Sequence, residues 1–185
     1  ADDEVTYRRN TEAYECCDLV PNVLAGVEEV DLSTTVMGIP IDLPLFLSPT
    51  ALQRLFHHEG ERAVGRAAEA FNTLFGISSL ATVGIEEIAE TIRTPKIFQL
   101  YYHKDKALTW SMIDRCLDAG FDALALTVDT IVGGNRERDL WTGFTSPPKL
   151  TTSSLLSFAT HPSWTLNYLL RDPFELSNLK DHVAE

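Results

Sequence analysis

Four short apolar runs recur along this chain, with room for one helix between each pair: Leu45-Phe46-Leu47, Leu74-Phe75-Gly76-Ile77, Lys96-Ile97-Phe98-Gln99-Leu100 and Ala123-Leu124-Ala125-Leu126. Each is apolar almost throughout instead of alternating with polar residues, the pattern of parallel strands buried on both faces. The intervening segments carry helical periodicity. Around Glu59 to Phe71, the residues Ala63, Val64, Ala67, Ala68 and Phe71 share a stripe. From Gly84 onward Ile85, Ile88, Ala89 and Ile92 do the same. From about Lys106 to Ala119, Leu108, Met112, Ile113, Cys116 and Leu117 line up, with Gly120 placed to cap the end. This β-α-β-α-β-α-β order predicts an α/β fold built on a parallel sheet. With 185 residues, 44% hydrophobic and 23% charged, the chain has the length and apolar content of one domain. Disordered and collagen-like classes are excluded.

Ahead of the first strand, residues 10–19 read as a helix and Val36 to Ile41 as a hairpin around Gly38. After the fourth strand the rhythm stops. From Val128 to Glu185 only two helical stretches are expected, near Ser153 to Phe158 and Ser163 to Leu170, flanked by Pro147-Pro148 and Pro162. So long a connection reads as a functional loop or lid, residues 128–185, inside one domain spanning 1–185. Two architectures fit: an open doubly wound sheet, or the amino-terminal half of a (β/α)8 TIM barrel. A doubly wound sheet predicts a glycine-rich phosphate turn after its first strand. Here that turn is Ser48-Pro49-Thr50-Ala51, and neither GxGxxG nor a Walker GxxxxGK[ST] occurs. The half-barrel, about four βα units with a long loop after the fourth strand, is the expectation.

Acidic residues outnumber basic ones 27 to 15, for a formal net charge of −12. Residues 1–31 carry nine of the acids beside only Arg8 and Arg9. Such a balance disfavours nucleic acid or an anionic membrane as a partner of the whole chain. No apolar run approaches the roughly 18–20 residues that span a bilayer. Cys16 and Cys17 are adjacent and Cys116 is distant, with no CxxC. A disulfide framework is thereby excluded, and a reducing, cytoplasmic setting is the simplest reading.

In barrels the active site is built at the carboxyl ends of the strands. Those positions here are Pro49-Thr50-Ala51, Ser78-Ser79, Gln99 and Tyr101, and Thr127 and Asp129. The groups are mostly uncharged and suit a planar heteroaromatic ligand with a hydrogen-bonding edge. A metal needs clustered His, Cys or carboxylate, and a glycosidase needs a second carboxylate beside Asp129. Each residue also has a plain alternative. The serines can cap the next helix, Tyr101 can simply pack, Thr127 can be ordinary strand and Asp129 a turn cap. Gln99 ends a buried run, where a lone amide is costly unless paired. His57-His58 fails the HExxH pattern because Arg62 stands in the last position, so His58-Glu59-Gly60-Glu61 reads as a helix start with acids at its positive end. In Gly133-Gly134-Asn135-Arg136-Glu137-Arg138-Asp139 the glycines allow close approach and Arg136 can grip a carboxylate. The alternative is a solvated charge run.

Taken together, these strings are similar to a known family. Leu47-Ser48-Pro49-Thr50-Ala51-Leu52-Gln53, His58-Glu59-Gly60-Glu61, Phe98-Gln99-Leu100-Tyr101, Lys104-Asp105, Ala119-Gly120-Phe121, Leu126-Thr127-Val128-Asp129-Thr130 and Gly134-Asn135-Arg136-Glu137-Arg138-Asp139 occur in order. They resemble the FMN-dependent 2-hydroxy acid dehydrogenases and oxidases, among them glycolate oxidase, lactate oxidase, flavocytochrome b2 and mandelate dehydrogenase. His161-Pro162-Ser163-Trp164 looks most like the bacterial membrane-associated lactate and mandelate branch.

The resemblance implies a TIM barrel holding FMN and oxidising an (S)-2-hydroxy acid of lactate, mandelate or glycolate type. By similarity, Pro49, Thr50 and Ala51 pass backbone along the flavin ring, while Ser78, Gln99 and Thr127 bond its polar edge. Tyr101 donates to the substrate, Arg136 reaches its carboxylate, and Leu80 lines the substrate pocket. Asp129 orients a catalytic His and favours its protonated form. In the family chemistry that His takes the hydroxyl proton while hydride passes from carbon to the flavin. The family's early substrate Tyr, its Lys beside the flavin and its His-Gly-x-Arg segment have no match here. His161 and His182 lack that context. Four strands cannot close a barrel, so a carboxyl-terminal remainder of the same enzyme is expected as partner. The resemblance also implies a homo-oligomer, a tetramer, and leaves peripheral attachment at the inner membrane open. The rival readings are a non-catalytic half-barrel binding a phosphorylated ligand or a partner chain, and another flavin barrel such as a type 2 isopentenyl diphosphate isomerase.

Overall fold

The computed structural model describes residues 3–145, 151–173 and 175–180. Pro147-Pro148 and His182 lie outside them. Residues 31–129 and 158–185 form one compact unit, and residues 1–30 and 130–157 another.

The larger unit opens with the hairpin β1 (Thr34–Val36) and β2 (Ile39–Ile41), paired antiparallel. Its turn places Gly38 at φ +80, a conformation glycine adopts without strain. The main sheet comes next: β3 (Leu47–Thr50), β4 (Phe75–Ser78), β5 (Lys96–Tyr101) and β6 (Ala123–Thr127), all parallel. Its strand order is sequential, β3-β4-β5-β6. A doubly wound sheet would reverse direction at a switch point; this order is that of a barrel wall. The fold is a partial α/β barrel, as the strand rhythm predicts. β3 begins where the first apolar run ends, because Pro44 and a local Leu45 N to Leu43 O bond of 2.7 Å hold the preceding residues in a turn. Pro49 is tolerated because β3 is an edge strand.

Helices α3 (Glu61–Ala70), α4 (Ile85–Thr91) and α5 (Lys106–Asp118) occupy the three connections. A short helix, α2 (Gln53–Phe56), lies just after β3 and carries no periodic signal of its own. α5 shows how local chemistry sets a boundary. Asp105 accepts from Ala107 N at 2.8 Å and Leu108 N at 3.4 Å, capping the start. At the other end Gly120, with φ +70, donates to Leu117 O at 3.1 Å, and Phe121 N donates to Cys116 O at 3.0 Å, a Schellman closure. The core lies between sheet and helices: Phe75, Ile77, Phe98 and Leu100 pack with Ile85, Ile88, Met112 and Cys116. Phe98 meets Phe121 edge to face.

Residues paired across parallel strands share a face. Phe98 pairs with Leu124 and Leu100 with Leu126, so both leucines extend the helix-covered face. Yet they are 42% and 52% exposed, because β6 has no described helix against it. The chain returns to this unit from Phe158, through α8 (Pro162–Leu170), and Leu176 and Leu179 join the core.

In the smaller unit the amino-terminal helix α1 spans Val5–Glu12 and runs into a 3-10 turn at Ala13–Cys16. This corrects the expected helix at residues 10–19. The chain is extended by Cys17, and Val20 before Pro21 is biased away from helical backbone. Residues 137–142, read as loop, form α6 (Glu137–Thr142), closed by Gly143 at φ +66. The two helical stretches expected beyond it are observed as α7 (Thr152–Thr160) and α8.

Candidate functional site

The carboxyl ends of β4, β5 and β6 bring Ser78, Gln99, Tyr101 and Thr127 onto one face. Register fixes this: Ser78 pairs with Gln99 and Tyr101 with Thr127, and Gln99 and Tyr101 are two residues apart on one strand. A continuous hydrogen-bond line links three of them. The Ser78 hydroxyl donates to Gln99 Oε1 at 3.0 Å, and Gln99 Nε2 donates to Thr127 Oγ1 at 2.5 Å. Leu80 N donates to Ser78 Oγ at 3.1 Å, which turns the chain and aims Leu80. Gln99 is 8% exposed, so its amide is oriented in a low-dielectric setting where pairing matters.

β3 lies against this face more closely than a side chain would permit. A Cβ on Gly76 would sit 2.7 Å from Pro49 Cδ and 2.9 Å from Leu47 O. Only a glycine at this point lets the turn Pro49-Thr50-Ala51 approach the Ser78 end of β4. Behind the turn, Gln53 Nε2 donates to Thr50 Oγ1 at 2.8 Å. Gln53 Oε1 and Ser79 Oγ are buried without a partner among the described residues, leaving acceptor and donor capacity beside Thr50 and Ser78.

Of the sequence-predicted residues, Pro49, Thr50, Ala51, Ser78, Leu80, Gln99, Tyr101 and Thr127 thus sit around the strand ends of one unit. Asp129 belongs to the same unit and is exposed just past β6. Arg136 belongs to the other unit, where it precedes α6, is exposed, and lies 4.0 Å from Asp139. No three His, Cys, Asp or Glu among the described residues come together as a metal site. The His57 and His58 rings lie 4.4 Å apart between centroids, tilted by 39°. Burial, then the neighbouring His57, holds the His58 imidazole below its ordinary value.

Three residues here escape sequence reading. Glu61 looks like a helix-opening acid but is fully buried, accepting from Thr82 N and Oγ1. Gln53 and Asn178 also act through contacts that no local pattern announces. The one available signal was a second acid at Glu61, where Glu59 already serves the surface by pairing with Arg66.

The family model for FMN-dependent dehydrogenases matches residues 1–184. Glycolate oxidase 1 of Zea mays is 42% identical over 151 residues, 82% of this chain and 41% of the maize protein. L-lactate oxidase of Nostoc sp. is 41% identical over 163 residues, 86% of this chain and 45% of that protein. Among solved structures, a monotopic membrane (S)-mandelate dehydrogenase superposes with a TM-score of 0.87 at 30% identity, over 96% of this chain and 47% of its own. The chain therefore spans less than half the length of the relatives it matches. With a partial barrel wall, polar strand ends and a family model matched along nearly its whole length, this chain belongs to the FMN-dependent dehydrogenase family.

Proposed function

We propose that this chain forms the FMN-holding wall, and part of the substrate pocket, of an enzyme that oxidises a small (S)-2-hydroxy acid to the 2-oxo acid. The observation that carries the reading is the Ser78–Gln99–Thr127 line on one face of the strand ends. Its groups are uncharged, fixed by the backbone and able to both donate and accept, which matches the polar edge of an isoalloxazine. The Gly76 approach and the unpartnered Gln53 Oε1 and Ser79 Oγ fit the same ligand. FMN supplies the two-electron acceptor.

The chain's residues then divide the remaining work. Pro49, Thr50 and Ala51 lay backbone along one side of the ring, held from behind by Gln53. Ser78, Gln99 and Thr127 hold its polar edge. Tyr101, half-buried beside Thr127, donates its hydroxyl to the substrate. Leu80 walls the pocket, and Arg136 binds the substrate carboxylate as a bidentate partner. Asp129 orients a catalytic His carried by the carboxyl-terminal remainder of the enzyme. The uncovered Leu124 and Leu126 on edge strand β6 support such a remainder, since an open apolar edge calls for a covering layer.

The similarity to a glycolate oxidase, an L-lactate oxidase and an (S)-mandelate dehydrogenase supports glycolate, lactate or mandelate as the acid oxidised. A homo-tetramer and peripheral membrane attachment belong to the same proposal. No described helix is long and apolar enough to cross a membrane, but α8 exposes Leu166, Leu169 and Leu170.

Two measurements on the complete enzyme test this function. Incubation with each acid should yield its 2-oxo acid. Arg136→Met should raise KM and lower kcat/KM for whichever acid is used. No product from any of the three acids, or an unchanged kinetic profile in the variant, would contradict the corresponding assignment.

A further inference from the structure

The contacts that tie the strand-end turns together converge on Thr82, two residues past the pocket residue Leu80. Thr82 is 2% exposed and every polar group it has is engaged. Its N donates to Glu61 Oε1 at 2.8 Å and its hydroxyl to Glu61 Oε2 at 2.6 Å. Its Oγ1 accepts from Arg54 N at 3.2 Å, and its carbonyl accepts from the Ser177 hydroxyl at 2.9 Å. Arg54 lies in α2, directly behind the turn Pro49-Thr50-Ala51, and Glu61 opens α3. Leu52 N donates to Leu80 O at 3.2 Å and closes the ring between the two turns. The returning segment adds a second fastening. Asn178 Oδ1 accepts from Ile85 N at 3.1 Å and so caps α4, whose own cap position is the side-chain-free Gly84.

We propose that Thr82, anchored on the buried Glu61, is a positioning residue for substrate specificity. It fixes the Leu80 wall of the pocket against the Pro49-Thr50-Ala51 turn from behind. The physical ground is that a buried carboxylate holding two donors is stiff. Removing the Thr82 hydroxyl strands the fully buried Glu61 Oε2 and takes the side-chain acceptor from Arg54 N. The Leu80 loop then keeps the Thr82 N bond to Glu61 and the Leu52–Leu80 main-chain bond, but loses the hydroxyl that joins Glu61 to α2 behind the turn. This inference rests on the proposed 2-hydroxy acid oxidation.

The test uses the complete FMN-loaded enzyme with Thr82→Ser, which keeps the hydroxyl, and Thr82→Val, which removes it at nearly the same shape. The wild-type enzyme is first assayed with glycolate, lactate and mandelate, and the two acids that reduce the flavin fastest are carried forward. Failure of the wild type with all three acids sinks the proposed function, whereas the role of Thr82 is judged on how each variant departs from the wild type. Thr82→Ser should retain the wild-type ratio of kcat/KM between the two acids. Thr82→Val should shift that ratio about fivefold, the factor expected for one hydrogen bond, mainly through KM. The FMN dissociation constant, from titration of the apoprotein, should rise in Thr82→Val and not in Thr82→Ser. A Thr82→Val enzyme with an unchanged ratio and unchanged FMN affinity, but a lowered Tm, would show a purely structural role and overturn the proposal. If Thr82→Val does not fold, Ser177→Ala removes only the clasp on the Thr82 carbonyl. It should move the ratio in the same direction by a smaller factor, and an unmoved ratio would overturn the proposal equally.

Discussion

Replacing Gln99 by Leu probes the strand-end line at its centre. The substitution removes two hydrogen bonds, from the Ser78 hydroxyl at 3.0 Å and to Thr127 Oγ1 at 2.5 Å. Each is worth about 1 kcal/mol net. Ser78 keeps its bond from Leu80 N, and a leucine of similar volume needs no partner at this 8% exposed position. Destabilisation of the apoprotein should therefore stay within about 2 kcal/mol, a modest drop in Tm. FMN binding should suffer more, because a polar atom on the ring edge would be buried against a methyl group at a cost of about 1–3 kcal/mol. That corresponds to a dissociation constant roughly 5- to 150-fold higher. Titrating apoprotein with FMN and monitoring the quenching of flavin fluorescence reads this directly. Unchanged FMN affinity together with lowered stability would refute the reasoning, since the Gln99 amide would then serve only its protein neighbours.

Gly76→Ala should destabilise the protein by about 1–3 kcal/mol in denaturant unfolding and weaken FMN binding, because the new Cβ meets Pro49 and the Leu47 carbonyl, which can give way only by moving the turn. Burial pushes the Cys116 thiol up to about 12 from an ordinary 9.0, so the unfolded chain ionises first and stability should fall as pH climbs from 9 towards 12. For the same reason maleimide should modify exposed Cys16 and Cys17 at once and Cys116 only in denaturant, with the sites located by mass spectrometry. The Arg115 guanidinium holds the Glu86 carboxyl below its ordinary 4.5, a contribution present above that value and lost as pH falls through the lowered one. Since the Glu86 side chain is 53% exposed, Glu86→Gln should cost less than about 1 kcal/mol and flatten the acid limb of a Tm–pH plot.

Much of the fold was legible because its elements carry local signals. The runs at Leu74, Lys96 and Ala123 are continuous and β-compatible, and α5 has its own cap residue, its own stripe and its own terminating glycine. Where such signals thin out, the expectation slipped. β3 lies further along the chain than its apolar run, because tertiary pairing of Leu47 with Phe75 sets the start. α1 begins at Val5 with no apolar stripe to announce it, and its residues are exposed. α6 hides in a run of charges at Glu137-Arg138-Asp139, which periodicity cannot distinguish from a solvated loop. At the site, residue type at a strand end was enough to single out Ser78, Gln99 and Thr127. The Thr82–Glu61 junction was not accessible this way, because its partners Arg54, Glu61 and Ser177 are dispersed in sequence and meet only through the packing of α2, α3 and the returning segment.

The most direct check is spectroscopic. Complete enzyme, purified and kept free of oxygen, should carry the yellow absorbance of bound oxidised flavin. That band should bleach when glycolate, (S)-lactate or (S)-mandelate is added, and should persist when the matching acid without a 2-hydroxyl is added. Protein that is colourless and takes up no FMN, or a flavin band that none of the three hydroxy acids diminishes, would contradict the account.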